Sequence, residues 1–290
     1  MIEVLIHMFL FPGVVSSFFI GFVYMGIVRK LSARMQHRVG PPLWQPFLDW
    51  IKLMSKESTV PKTASEFLFT LSPIIAFASM LSVLVFLPIG SGHVTFEGNL
   101  LVVIYLLMIS SLAFVFAGFS SGSPFGFVGS IREIVQMFGY EFPFILSLLT
   151  VGLQTGFTLK PYFALGFPFA TLGFILSLQG KLGLPPFHVP DAEQEIVAGP
   201  LVEYSGFRLG MFELVHAVRF WVLISLGAVM FFGSNGLLWF FINSFILLVI
   251  IVLLKVVFAR IRIDHVFKFY WFVVGPLVVV DFLRSLLGIV

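Results

Sequence analysis

Four carboxylates stand close together between Pro185 and Gly206, a stretch that reads PPFHVPDAEQEIVAGPLVEYSG. They are Asp191, Glu193, Glu195 and Glu203. Carboxylates bind and release protons and pair with basic side chains of a partner. One simpler explanation is that Pro190 begins a helix whose first turn favours Asp and Glu, by about 0.3–1 kcal/mol each. That explanation suits Asp191 better than the whole set, so the pattern predicts a loop that docks a partner or loads protons into a membrane pathway.

A second set of ionisable side chains falls inside apolar segments, where a charge costs about 2.5–3.5 kcal/mol at a helix centre. Glu213, His216 and Arg219 follow one another at three-residue spacing, so neighbours can pair along one helix face. Glu141 and Lys255 lie in two other apolar segments. This set favours a polar pathway. A buried pair between Glu213 and His216 or Arg219 that only holds helices together is the alternative.

Several kinds of redox or metal site are excluded. The chain has no cysteine, which rules out disulfides, thiolate-held iron–sulfur clusters and cysteine zinc sites. Its histidines are never closer than 28 residues, so none forms a metal-binding or haem-binding pair on one helix. No phosphate-binding, G-x-S-x-G or H-E-x-x-H motif occurs. We therefore expect no cofactor in this chain, and redox chemistry only in a partner.

Membrane-spanning helices must position these groups. The chain is 59% hydrophobic and 11% charged, against the roughly 25% charged residues of a soluble domain. Several apolar runs exceed the ~18–20 residues that cross a bilayer core. The sequence predicts an all-α, polytopic protein, a single integral membrane domain over residues 1–290, with about eight transmembrane helices. The predicted spans are 2–28, 67–89, 99–119, 134–155, 162–180, 208–232, 236–258 and 269–289.

The basic residues are sorted to one side of this arrangement. Thirteen of the seventeen Lys and Arg residues fall on the side of the loops 29–66, 120–133 and 181–207. The positive-inside rule makes this side cytoplasmic, which predicts a location in the cell membrane with both termini outside. The net charge of +3 then reflects topology and lipid contact, and we expect no nucleic acid partner. Residues 43–54 place their apolar side chains on one helical face, which predicts an amphipathic helix on the cytoplasmic membrane surface.

Three stretches carry a family resemblance. Residues 36–42 read QHRVGPP, residues 259–271 read ARIRIDHVFKFYW, and residues 187–214 read FHVPDAEQEIVAGPLVEYSGFRLGMFEL. Together they resemble the H subunit (also called subunit 1) of respiratory NADH:quinone oxidoreductase and its relatives in membrane-bound nickel–iron hydrogenases. The resemblance spans most of the chain. It implies an eight-helix subunit that transfers no electrons itself and lies where the peripheral arm meets the membrane arm.

The resemblance also implies roles and partners. Glu193, Glu195, Glu203 and Glu213 match the acidic residues that lead from the last iron–sulfur cluster region into an axis of polar residues, and Glu141 matches a glutamate of the fourth span. We assign these residues to a coupling or proton pathway, together with Asp191, His216 and Lys255. The implied partners are iron–sulfur and large catalytic-like subunits on the cytoplasmic side, antiporter-like membrane subunits and lipids. Iron–sulfur clusters, and a nickel–iron centre in a hydrogenase, would lie in those partner subunits.

One stretch departs from the quinone-reducing members, which read A-E-L-N-R-A-P-F-D before the acidic helix. Here the chain reads GKLGLPPFH, with Lys181, Leu184 and His188 where Glu, Arg and Asp would stand. Two lost carboxylates change the local charge and argue against quinone binding. Residues 38–57 also look closer to archaeal-type membrane-bound hydrogenases and sulfane sulfur reductases. We therefore interpret this region as a vestigial quinone funnel, which comprises Lys181, His188, Arg38 and Arg132.

The leading hypothesis is a non-redox membrane-anchor and coupling subunit of a ferredoxin-dependent respiratory complex, of hydrogenase or sulfur reductase type, coupled to H+ or Na+ translocation. Such a subunit is not catalytic alone. Two alternatives stay open: a quinone-chamber subunit of an NADH:quinone oxidoreductase-like complex, and a stand-alone ion transporter. The absence of an internal sequence repeat and the acidic cytoplasmic loop count against the transporter.

Overall fold

The computed structural model describes residues 13–89, 99–190, 193–233 and 236–288, and no β-strand occurs within these ranges. The helices are α1 (Val14–Met35), α2 (Gln45–Met54), α3 (Glu66–Phe86), α4 (Leu100–Ser120), α5 (Pro124–Thr155), α6 (Pro168–Lys181), α7 (Glu193–Ile196), α8 (Gly206–Met230), α9 (Leu237–Val257), α10 (Ile263–Phe269) and α11 (Gly275–Leu286). A π-helical turn, Tyr270–Val274, joins α10 to α11. The predicted all-α architecture is confirmed; residues 2–12 of the predicted first span lie outside the described residues.

Seven helices of the described ranges are long and apolar enough to cross a membrane: α1, α3, α4, α5, α8, α9 and the continuous α10–α11 unit. The remaining predicted span, 162–180, contains the 14-residue helix α6, whose length of about 21 Å is less than the bilayer core. A segment that ends in a 3-10 turn, Ala164–Gly166, precedes it. In this segment the Tyr162 and Ala164 N–H groups donate to the Val229 and Phe231 carbonyls. Non-helical backbone is tolerated at membrane depth when protein satisfies its polar groups, so these bonds let α6 begin late.

Two helices extend beyond the predicted spans, on the side of the loops 29–66 and 120–133. Helix α1 continues to Met35, which places its basic residues on the last turns instead of in a loop. His37 then adopts a left-handed conformation, and the Arg38 and His37 N–H groups donate to the Ala33 and Arg34 carbonyls. This is a Schellman end. Helix α5 begins at Pro124, where a proline loses no helical hydrogen bond. The predicted spans end at charged residues, because these mark where the lipid ends. The helices themselves continue past those residues until their backbone hydrogen bonding changes.

Helix α8 lies at the centre of the bundle and is buried along most of its length. Helices α1, α2, α3 and α9 pack against it. Gly21 of α1 approaches α8 so closely that a Cβ there would lie 2.3 Å from the Ala217 carbonyl oxygen. Small residues permit such close packing in membranes. The helix that carries Glu213, His216 and Arg219 is therefore surrounded by other helices.

The amphipathic helix predicted at 43–54 is confirmed as α2. The Phe47 ring lies 5.8 Å from that of Phe18 and 6.0 Å from that of Phe22, both on α1. Trp44, Leu48 and Ile51 are exposed. The apolar face is thus divided between contact with α1 and a surface that suits the membrane interface.

Helix α6 packs between α5 and α11, and its two ends are held differently. At its start, the buried carboxylate of Asp281 accepts a 3.0 Å hydrogen bond from the Ala170 N–H and also pairs with Arg284 at 3.1 Å. At its end, Gly183 has φ +62°, and the Leu184 N–H donates to the Gln179 carbonyl. This Schellman end makes Lys181 the last helical residue.

Candidate functional site

The most deeply buried ion pair of the described residues joins Lys181 of α6 to Glu141 of α5. Their side chains are 0% and 8% exposed. The Lys181 Nζ also lies 4.7 Å from the centre of the Phe144 ring and 5.3 Å from that of Tyr140. In the topology predicted from the sequence, Lys181 lies at the start of a cytoplasmic loop. The structure instead places it inside the protein, because α6 continues to this residue and its ammonium faces α5.

Arg219 of α8 lies next to this pair. Its guanidinium donates to the Lys181 carbonyl at 3.5 Å and to the Ser110 and Ser111 hydroxyls at 3.3 and 3.5 Å. It also lies 4.6 Å from the centre of the Phe114 ring. A cation at the C-terminal carbonyls of a helix complements the helix dipole. Arg219 therefore connects α8, α4 and the end of α6 in the protein interior.

Further polar side chains extend the group. The Tyr140 hydroxyl donates to Ser111 Oγ at 3.4 Å, and the Gln136 amide donates to the Gly180 carbonyl at 2.9 Å. All these side chains are buried. We call this set the central polar cluster: Ser110, Ser111, Gln136, Tyr140, Glu141, Lys181 and Arg219. It connects four helices through side-chain hydrogen bonds and through the Gly180 and Lys181 carbonyls.

The central polar cluster also has free hydrogen-bonding capacity. Glu141 Oε2, Gln136 Oε1 and Arg219 Nε are buried, with no protein partner among the described residues. Buried polar atoms are normally satisfied by protein or by ordered water. These three atoms are therefore the positions where internal water molecules would bind and extend the cluster.

Sequence reasoning missed the neutral members of the cluster. Gln136 and Tyr140 are one helical turn apart on α5, and Tyr140 directly precedes Glu141. Spacing of four residues places side chains on the same face. A search for neutral polar residues near each charge in an apolar helix would have found them. Ser110 and Ser111 are adjacent in an otherwise apolar helix, which is a weaker signal.

Comparison with known proteins establishes the family, because a family model for NADH dehydrogenase matches residues 6–285. The chain belongs to the NADH dehydrogenase family. It is 32% identical over 292 residues to the H subunit of the NADH-quinone oxidoreductase of Anoxybacillus flavithermus, covering 90% of this chain and 88% of that protein. It is also 32% identical over 293 residues to the corresponding subunit of Geobacillus kaustophilus, covering the same shares.

Among solved structures, the membrane-bound sulfane sulfur reductase, an archaeal respiratory membrane complex, contains a chain similar to this family member. The TM-score is 0.87 at 27% sequence identity, with 93% of this chain and 96% of that chain covered. The predicted family resemblance is thereby confirmed, and this archaeal complex contains a chain of similar structure. Also confirmed is the multi-pass membrane architecture that the seven long apolar helices of the described ranges indicate.

In this family member the acidic loop is held by arginines. Glu195 accepts from Arg132 at 2.5 Å and from Arg260 at 3.1 Å. The hydrogen bond from Arg132, with the charge of Arg260, lowers the pKa of Glu195 below its ordinary value. The triad connects α7 to α5 and to the segment before α10. Arg132 thus positions the loop on which Glu195 lies.

The other acidic loop residues are less fully placed. Asp191 and the Glu193 side chain lie outside the described residues, although Glu193 begins α7. Glu203 is half-buried. The next residue, Tyr204, stacks on Phe69 with ring centres 3.9 Å apart and donates to the Phe69 carbonyl. Burial raises the pKa of Tyr204, so this phenol stays neutral and anchors the end of the loop to α3.

Four predicted residues remain: Glu213, His216, His188 and Lys255. Glu213 and His216 lie one turn apart on α8 and precede Arg219 in the chain. The His216 ring centre is 4.8 Å from that of Phe114. Pairing of Glu213 with His216 or Arg219 stays a prediction. His188 Nδ1 bonds to the Gly183 carbonyl at 2.6 Å, next to the end of α6. Lys255 lies away from the cluster and lines a separate cavity with Arg38.

Within the described residues, no group of three His, Asp or Glu side chains is arranged to hold a metal. The sequence itself supplies no cysteine ligand. The assignment of iron–sulfur clusters to partner subunits stays a prediction.

Proposed function

We propose that this chain is the non-redox membrane-anchor and coupling subunit of a ferredoxin-dependent respiratory complex of the sulfur reductase or hydrogenase type. It would connect a peripheral iron–sulfur arm on the cytoplasmic side to antiporter-like membrane subunits that translocate H+ or Na+. Family membership and the similarity to a chain of the sulfane sulfur reductase complex support this assignment. In this proposal the chain lies in the cell membrane with both termini outside.

The observation that carries the proposal is the Lys181–Glu141 pair inside the bundle. Burying two charges costs several kcal/mol per ion before their attraction is counted, and apolar residues of similar volume often serve stability equally well. Ionisable groups inside a membrane protein therefore indicate ion or proton pathways. The pair belongs to a cluster with free hydrogen-bonding capacity on Glu141 and Arg219, which is what a proton-transfer element requires.

Coupling follows from electrostatics. An electron that arrives on an iron–sulfur cluster of a partner adds negative charge on the cytoplasmic side. Negative charge favours the protonated form of every nearby acid and base, and this effect is strong where water does not screen it. The Lys181–Glu141 pair would respond by binding a proton at Glu141, delivered through water at the free Oε2 atom of that carboxylate. Redox state would thus alter the protonation of the membrane interior.

The cytoplasmic face provides the docking surface in this proposal. Helix α7 and the loop around it are held in place by Arg132 and Arg260 through Glu195. The exposed part of that loop includes Val197, which is 57% exposed. The peripheral subunits would bind here, close to the cytoplasmic end of α5.

A quinone-chamber subunit is the second candidate, supported by the 32% identity to the H subunits of NADH-quinone oxidoreductases. The structure offers an argument against it. The ammonium of Lys181 occupies the region between Tyr140, Phe144 and Glu141, where the resemblance leads one to expect a carboxylate. Lipid extraction of the purified complex distinguishes the two candidates, because a quinone-chamber subunit would retain a lipid-soluble quinone.

The experiment that tests the coupling role uses the intact complex, purified gently through this chain and reconstituted in vesicles. Ion translocation per electron is measured for the native complex, for Glu141→Gln and for the control Glu57→Gln, whose residue is exposed on the cytoplasmic side. We expect Glu141→Gln to lower the ratio and Glu57→Gln to leave it unchanged. A native ratio with Glu141→Gln would remove the cluster from the coupling pathway. Recovery of this chain without iron–sulfur partners would instead favour the stand-alone transporter.

A further inference from the structure

Three cationic side chains meet at one cavity on the cytoplasmic side. The cavity has a volume of about 440 Å³, and its lining includes Arg29 and Ser32 of α1, Arg38 of the following loop and Lys255 of α9. Gln36 adds an amide to the lining. No carboxylate of the described residues lines it; the nearest acidic contact is Asp49, which pairs with Arg29 at 3.0 Å from α2. The cavity therefore has excess positive charge.

The backbone brings these cations together. The Schellman end of α1 turns the chain at His37, so Arg38 returns toward the helix. Gly40, with φ +73°, then lies against α1, and a Cβ there would be 2.7 Å from the Cβ of Ala33. The loop is thus folded onto the last turns of α1. Lys255 reaches the same cavity from the last turn of α9, and a hydrogen bond of 2.8 Å between Tyr24 and Ser244 connects α9 to α1.

The chemistry of this lining fits a phosphate group. Arginine guanidinium groups donate paired hydrogen bonds to phosphate oxygens, and a lysine ammonium adds a point charge. Arg29 already pairs with Asp49, but Arg38 and Lys255 have no carboxylate partner in the cavity lining. An anion between the cations removes their mutual repulsion. The helix dipole accounts for a lysine at the end of α9, but it does not account for two arginines that converge on it from α1 and the loop.

The surroundings favour a lipid headgroup over a soluble phosphate. The cavity lies at the cytoplasmic ends of two spanning helices, where phospholipid headgroups are found. Helix α9, which carries Lys255, is among the least buried spans, so it is open to the surrounding membrane. A phospholipid can fill the cavity with its headgroup while its tails stay in the membrane, which inorganic phosphate cannot do.

We infer that this cavity binds the headgroup phosphate of an anionic phospholipid of the cytoplasmic leaflet, with Arg29, Arg38 and Lys255 as its ligands. The acyl chains extend from the cavity into the membrane. Basic pockets between transmembrane helices on the cytoplasmic side are known to recognise anionic headgroups. The bound lipid fixes the α1–α2 connection to α9.

The test uses the intact complex in detergent, incubated with dioleoylphosphatidylglycerol or dioleoylphosphatidylcholine. Lipid retained after gel filtration is quantified by mass spectrometry over a titration. Each cation near the membrane surface contributes a similar share of the binding free energy for an anionic lipid. The double substitution Arg38→Gln with Lys255→Gln is therefore expected to weaken phosphatidylglycerol binding roughly 30-fold. Arg38→Lys with Lys255→Arg keeps both charges and is expected to restore most of the binding. Phosphatidylcholine binding should be weak in every variant.

The matched control is Lys52→Gln with Lys56→Gln, which removes two exposed cations of the same cytoplasmic region that do not line the cavity. Its binding should stay close to native. Equal losses in both double variants would show a diffuse surface effect and overturn the site. Complete displacement of the lipid by excess inorganic phosphate would show a soluble phosphate ligand instead. Loss of a partner subunit with unchanged lipid content would show that a protein covers this face.

Discussion

The buried Lys181–Glu141 pair allows stability and coupling to be measured separately. Replacing Lys181 by Met leaves the Glu141 carboxylate, 8% exposed, without its counter-charge. Breaking a buried pair in this way costs about 3–5 kcal/mol. Replacing Glu141 by Met leaves the Lys181 ammonium, 0% exposed, with a similar cost. Replacing both removes the two charges and substitutes side chains of similar volume, which is neutral or up to about 4 kcal/mol stabilising.

The assay is a double-mutant cycle on the purified complex. Denaturant unfolding of this subunit is monitored in detergent for the native chain, the two single variants and the double variant. We expect strong non-additivity, with both single variants destabilised and the double variant close to native. The control cycle uses Arg262 and Asp264, an exposed pair 3.3 Å apart, for which about 0–1 kcal/mol is expected.

Two results would refute this reasoning. Single effects that sum to the double effect within about 0.5 kcal/mol would mean that the charges do not interact. Native ion translocation by a stable double variant would mean that the pair is structural only. The expected combination is native-like stability without coupled translocation, which no simple packing role produces.

Three further predictions concern the supports of the site. Asp281→Ala removes the carboxylate at the start of α6 and should destabilise the protein by about 1.5–3 kcal/mol, whereas Asp281→Asn should retain part of that stability; thermal unfolding in detergent checks both. Gly21→Leu places a side chain against the α8 backbone and should prevent accumulation of the folded chain, as measured by detergent-resistant yield. Because Arg132 lowers the pKa of Glu195, the stabilisation of the loop by Glu195 should be complete above the usual glutamate pKa of about 4.3 and be lost as the pH falls through its lower folded value. Amide exchange of residues 193–201 should therefore differ between native and Glu195→Gln at neutral pH and converge in acid.

The sequence by itself determined that the protein folds in a lipid bilayer, that its fold is all-α, and which family it belongs to. Apolar runs of sufficient length are a local property, and they predicted four of the spans, those of α3, α4, α8 and α9, to within a few residues of the helices observed. The amphipathic pattern of α2 is equally local. The motifs at 36–42, 187–214 and 259–271 were long enough to identify the family from residue order alone.

The tertiary structure decided which polar groups meet. Lys181 and Glu141 are 40 residues apart, and no periodicity connects them. Their contact depends on where α6 ends and which face it turns to α5. Arg219 pairs with an end of α6 for the same reason. The short length of α6 depends on backbone bonds from the Tyr162 region to the end of α8. Spans are set by the free energy of transfer of each segment into lipid, but pairing between spans is set by packing, which only the assembled bundle determines.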